Sequence, residues 1–223
     1  TPTHTPENAA VYGKPGIYII DRPGAPQSVI RAGHLTVPRT HKDFFALSFV
    51  NYVLGGDYTS RLNLNLRQDK GYSYGFYSRI DWLQENSIWL ARGSVQTDVT
   101  QEAVKEIIDE FAKLHSDRPI GEDEFDRAKE GILKGMPSNF ETNSQMMSSL
   151  VGIAAHDLQD DYFRHSLESI KALQRNDILD AAKTHVNPGN LVIVVVGDKA
   201  TIENGLSEVQ SPITICDFYG NPV

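Results

Sequence analysis

Cysteine is almost missing from this chain, with Cys216 the single one among 223 residues. An internal disulfide and a thiolate metal cluster are both excluded, and the compartment is left open, because disulfide-free proteins fold in oxidising and reducing surroundings alike. Basic residues are in deficit: Lys+Arg 21 against Asp+Glu 29 gives 21 − 29 = −8. That balance opposes docking on phosphate backbones and anionic membranes, so nucleic acid is not an expected partner. Long apolar runs are also lacking. The longest, Leu191 to Val196, falls far short of the roughly 20 residues a membrane helix needs, and no membrane span is expected.

Histidine occurs seven times, as His4, His34, His41, His115, His156, His165 and His185, but no two are four positions apart. Both H-E-x-x-H and its inverse H-x-x-E-H set two imidazoles on successive turns of one helix face, so neither zinc motif exists here. No metal ligand set is expected within the chain, since carboxylates without histidine suit harder ions than zinc. Ser60, Ser73 and Ser78 lack the G-x-S-x-G setting of a nucleophile elbow. Gly55-Gly56 is not followed by G-K-[ST], so it reads as a helix stop and not as a phosphate loop. Glu122, Asp123, Glu124 and Asp126 crowd the start of a helical pattern, where acidic charge complements the helix dipole.

What is present suits one compact α/β unit. At 40% hydrophobic over this length, the chain can bury a sizeable core. Residues 13–223 are expected to form a single domain. Residues 1–12, beginning TPTHTPENAA, read as a linker or the edge of a longer polypeptide, without the basic start and apolar centre of a signal peptide. Gly16 to Asp21 and Gln27 to Thr36 are β-rich runs around a Pro/Gly turn and predict a strand pair. Lys42 to Leu54 carries Phe45, Phe49, Val50 and Val53 at helical spacing. Leu62, Leu64 and Leu66 fit either a strand period or, with Tyr58, a helix face. Tyr74 to Leu83 and Ser87 to Gln96 read as two strands, followed by a helix to about Leu114 for which Asp98 is the candidate N-cap. Helical patterns then cover Glu122 to Lys134, Ser144 to Ala155, Asp160 to Ser169 and Arg175 to His185. Leu191 to Gly197 closes the pattern as a β-branched run of the kind found at a sheet's centre or buried on both faces.

The stretch from Leu54 to Tyr77, LGGDYTSRLNLNLRQDKGYSYGFY, sets Arg67 and Tyr74 seven residues apart across a helix-to-strand corner. Together with MPSNFETN at Met136 to Asn143 and NPGNLVIVVVGD at Asn187 to Asp198, it resembles the pitrilysin/insulinase family of zinc peptidases, in order and over nearly the whole chain. The resemblance favours a helix for the leucine run. It implies a mainly antiparallel sheet with helices packed on one face, belonging to a non-zinc domain whose metal is supplied elsewhere. Zinc is expected in a partner domain or subunit, and peptide is the expected substrate. The family's arginine and tyrosine fall on Arg67 and Tyr74, accessory groups for substrate and oxyanion binding. Alternation would put Tyr72 and Phe76 beside Tyr74 as aromatic walls for an extended peptide. The chain alone should be inactive. The alternative is a catalytically silent structural or assembly subunit, like the respiratory-chain core proteins that share this fold. By resemblance to exported bacterial relatives the compartment would be periplasmic.

The chemistry behind that expectation is simple. A scissile carbonyl becomes an oxyanion in the transition state, and one preplaced donor is worth about 2.7–4 kcal/mol. A phenol O–H at Tyr74 and a forked guanidinium at Arg67 can each donate to such an oxygen or to substrate carbonyls. Neither can activate water, so both need a metal and base from elsewhere.

Overall fold

The alternating run Gln27–Thr36 forms strand β2, turning Ser28, Ile30, Ala32 and His34 to one face of a sheet and Val29 and Arg31 to the other. The computed structural model describes residues 13–223; the expected linker at 1–12 lies outside the described residues. Five further strands join β2: β1 (Gly16–Asp21), β3 (Ser73–Asp81), β4 (Ser87–Gln96), β5 (Val192–Gly197) and β6 (Ile213–Cys216). Their order is β3-β4-β2-β5-β1-β6. Neighbours run antiparallel from β3 through β4 and β2 to β5, then parallel from β5 to β1 and β6. A mainly antiparallel sheet is thus observed.

The expected pairing of β1 with β2 is corrected. β5 lies between them, parallel to β1 and antiparallel to β2. The turn after β1 spans the gap, with the Arg22 N–H donating to the Gly197 carbonyl at 2.7 Å. The physical reason is the Val/Ile run of β5, which offers branched side chains that pack well on a pleated surface and so takes the central slot. Its burial is one-sided: Ile193 and Val195 are buried, while Val192, Val194 and Val196 are half-buried.

Helices cover one face. α1 (Phe44–Asn51) brings Leu47, Phe49 and Val50, α3 (Thr100–Lys113) brings Val104, Ile107 and Phe111, and α7 (Arg175–His185) brings Ile178, Ala181 and Ala182 to a core that includes Trp89, Ile19 and Ile30 of the sheet. Each large side chain fully removed from water contributes about 1.5–3 kcal/mol before entropy is subtracted. α2 (Arg61–Asn63) runs on as a π-helical segment, Leu64–Asp69, so the leucine run is helical. α4 (Glu122–Gly135), α5 (Asn143–Ala155) and α6 (Tyr162–Ala172) follow. α5 opens on a reciprocal cap: the Gln145 N–H donates to Thr142 Oγ1 at 3.2 Å and the Thr142 N–H to Gln145 Oε1 at 2.9 Å. This cap accounts for the threonine of the FETN segment.

Gly55 and Gly56 close the helical run that starts at α1: it continues as a π-helical turn, Tyr52–Gly56, and Asp57 is extended. A Cβ on Gly55 would meet the Ser78 backbone nitrogen at 2.4 Å, so Gly55 also serves close approach of helix to strand. One local expectation fails for an identifiable reason: Asp98 does not cap α3. It sits in a 3-10 turn, Thr97–Val99, and the Thr100 hydroxyl ties that turn to Thr97 O at 2.8 Å and to Ser28 Oγ at 2.7 Å. The short final pieces, α8 (Lys199–Ser207) and β6, carry no periodic signal long enough to be read from sequence.

Candidate functional site

The corner between α2 and β3 is held by an amide, a glycine and a hydroxyl. Asn63 is fully buried, and its Oδ1 accepts the Phe76 N–H at 3.2 Å while its Nδ2 donates to the Tyr58 carbonyl at 2.7 Å. Gly71 takes φ +69°, a left-handed conformation that costs glycine little. The Tyr72 N–H donates back to Leu66 O at 2.8 Å, and the Gln96 N–H donates to Tyr72 O at 3.2 Å. The helical segment carrying Arg67 and the strand carrying Tyr74 are therefore fixed to each other.

The strand start is irregular. Ser73 opposes Val95, yet Phe76 opposes Gly93, so one extra residue bulges from β3. Ser73 Oγ organises the bulge, donating to Ser94 O at 2.7 Å and accepting the Gly75 N–H at 3.1 Å. The slip breaks the alternation assumed from sequence. Tyr74 is thrown outward and left 90% exposed, whereas Phe76 is fully buried in the core. Phe76 as a peptide-contacting wall is thus corrected: its ring packs under the sheet. Tyr72 is half-buried against that core and shares with Tyr74 a groove of about 430 Å³, also lined by Pro26, Gln27 and Gln96.

Arg67 is half-buried in the last turn of the π-helical segment, its guanidinium 4.7 Å over the Tyr58 ring. It makes no ion pair and no hydrogen bond to Tyr74 among the described residues, so its donors remain available. The fold brings Tyr72 and Tyr74 to one groove and anchors Arg67 to the same corner, without joining Arg67 to Tyr74.

Residues that sequence reasoning missed lie beneath. Arg61, almost fully buried, donates to Glu124 at 2.8 and 2.6 Å and to the carbonyls of Arg118 and Pro119 at 2.7 and 3.1 Å. Burial would raise the Glu124 carboxyl, but the hydrogen bonds and charge of Arg61 outweigh it and hold the group below its ordinary value. Asn65 likewise donates to Glu106 at 2.8 Å and Glu110 at 2.9 Å, and Lys70 pairs with Glu106 at 3.0 Å. The acidic tract at the start of α4 is thus partly a fastening for α2. An arginine directly after Ser60, at the first position of a helix, was the available signal.

Comparison with known proteins agrees with this architecture. Residues 1–132 match the family model described as the peptidase M16 inactive domain. A relative from Helicobacter pylori, named non-peptidase homolog YmxG, is 26% identical over 153 residues, covering 66% of this chain and 34% of that protein. The chain therefore spans about a third of that relative's length. The crystal structure of a peptidase M16 inactive domain from Pseudomonas fluorescens superposes with TM-score 0.75 at 24% identity, covering 83% of this chain and 44% of that one. The inactive peptidase domain of a zinc protease from Bordetella parapertussis superposes with TM-score 0.65 at 14% identity, covering 78% and 94%.

Proposed function

The chain belongs to the family of peptidase M16 inactive domains, and on that premise we propose that residues 13–223 act as one non-zinc domain of a zinc metallopeptidase, lending Arg67 and Tyr74 to substrate binding and oxyanion stabilisation. The observation that carries this reading is the disposition of Tyr74. A bulge built by Ser73 holds a large ring 90% exposed, where it buries little within its own chain. At the same corner, the Arg67 guanidinium stacks over the Tyr58 ring at 4.7 Å and has no carboxylate partner among the described residues. Exposed aromatic and arginine side chains of this kind are what binding surfaces concentrate.

In the assembled enzyme a zinc-bearing domain brings the metal-activated water and its base. Tyr74 then donates its O–H to the oxygen that gains charge, and Arg67 donates its fork to that oxygen or to neighbouring substrate carbonyls. Tyr72 flanks the peptide from the groove wall. The periplasm is the compartment that the resemblance suggests.

The second reading, a silent assembly subunit, has its own support in the relative named as a non-peptidase homolog. A photoreactive residue at Gln96, which lines the groove and leaves Arg67 and Tyr74 intact, separates the two in the full-length protein. Crosslinks to a bound peptide are expected. Crosslinks to another protein chain or domain alone, with peptide present, mark the scaffold.

A further inference from the structure

We propose that His41, Asp43 and His185 form a second, non-peptidase metal site that takes one zinc ion as a clip between α1 and α7. The side chains come from two segments: His41 and Asp43 from the turn before α1, and His185 from the last residue of α7. One ligand atom from each lies within 4.8 Å of the others. Spacing along a single helix cannot reveal such a set, because Asp43 and His185 stand 142 residues apart. The sequence alone predicts no metal ligand set anywhere in this chain, and the proposal departs from that expectation.

Three features fit a cation at this cluster. First, Asp43 holds the N-cap position of α1, yet its carboxylate accepts no N–H from that helix. It turns instead to His185, with Oδ2 at 2.8 Å from Nε2. Second, His41 Nδ1 lies 3.8 Å from the same Oδ2; its one lone pair accepts the Asp43 N–H at 3.2 Å, a bond that coordination of an ion would replace. Third, the spacing is right: zinc with bonds of about 2.0–2.1 Å in a tetrahedron sets its ligand atoms about 3.3 Å apart, within the range observed.

Two imidazoles and one carboxylate suit zinc or a neighbouring late first-row cation better than calcium or magnesium. Three protein ligands leave a fourth position for water. His41 also lines a cleft of about 580 Å³ between the α1 turn and α6, which gives a path for the ion. This site is independent of the Arg67 and Tyr74 reading.

The test is titration of the metal-stripped chain with zinc by calorimetry, and with cobalt by visible absorption. One equivalent should bind, cobalt should show four-coordinate ligand-field bands, and zinc should raise the melting temperature. His41→Ala, Asp43→Asn and His185→Ala should each weaken binding by more than about tenfold, the least that loss of even an outer-shell partner costs. His115→Ala, at the end of α3, should bind normally. Asp43→Asn keeps the shape of the turn, so a folding defect in one histidine variant does not blunt the test. Absence of saturable binding, or equal affinity in the three variants and the wild type, would overturn the proposal.

Discussion

Asn63 Oδ1 accepts the backbone N–H of Phe76 across 3.2 Å, and this one bond, made by a fully buried amide, joins the helical segment that carries Arg67 to the strand that carries Tyr74. Replacing Asn63 with Ala leaves the Phe76 N–H and the Tyr58 carbonyl without side-chain partners. The Phe76 N–H is buried, and stranding such a group costs about 1–3 kcal/mol, whereas Tyr58 is exposed and its carbonyl adds less. Chemical denaturation should show a loss within that range or somewhat above it. A loss under half a kilocalorie would mean that the corner is held by other contacts.

Phe76 and Tyr74 are two residues apart in opposite environments, and the contrast is measurable. Phe76→Ala should destabilise the fold by about 3–5 kcal/mol, as expected for a buried ring. Tyr74→Ala, at 90% exposure, should change stability little. Equal losses at the two positions would show that the bulge is absent in solution.

Much of this was legible in the sequence. Ser87–Gln96 and Arg175–His185 emerge with the boundaries that their periods predict, because each carries an unbroken pattern of one kind. The position of β5 between β1 and β2 was not legible, since strand order depends on long-range pairing that no local period encodes. At the candidate site, Arg67 and Tyr74 could be picked out by resemblance. The outward turn of Tyr74 and the burial of Phe76 could not, because a single bulge shifts every later side chain to the other face.

Acid stability gives a third test. The Glu124 carboxyl is held below its ordinary value by Arg61, so its folded value lies under its unfolded one. Its contribution is complete above the unfolded value and is lost as the pH falls through the folded one. Glu124→Gln should flatten that part of the stability profile. It should also cost about 3 kcal/mol at neutral pH, because Arg61 is left buried and short of its charge partner. An unchanged acid limb in the variant would remove this pair as a fastening of α2.

A fourth expectation concerns the chain by itself. With no H-x-x-E-H or H-E-x-x-H in its sequence, the isolated chain should not cleave peptides in the presence of added zinc. Mixing it with a zinc-bearing domain of the same peptidase should restore cleavage. Chelator-sensitive hydrolysis by the isolated chain would contradict the assignment of a non-zinc domain.

The most direct measurement is steady-state kinetics of the zinc-replete full-length enzyme carrying Arg67→Ala or Tyr74→Phe. Each should lower kcat/KM by about 10²–10³, the loss expected for one oxyanion-type donor, with zinc content and melting temperature unchanged. A fall confined to kcat marks transition-state stabilisation, and a raised KM marks uniform substrate binding. Wild-type kcat/KM in both variants, in an assembly shown to be folded and metal-loaded, would contradict the account and leave the two residues a purely structural role.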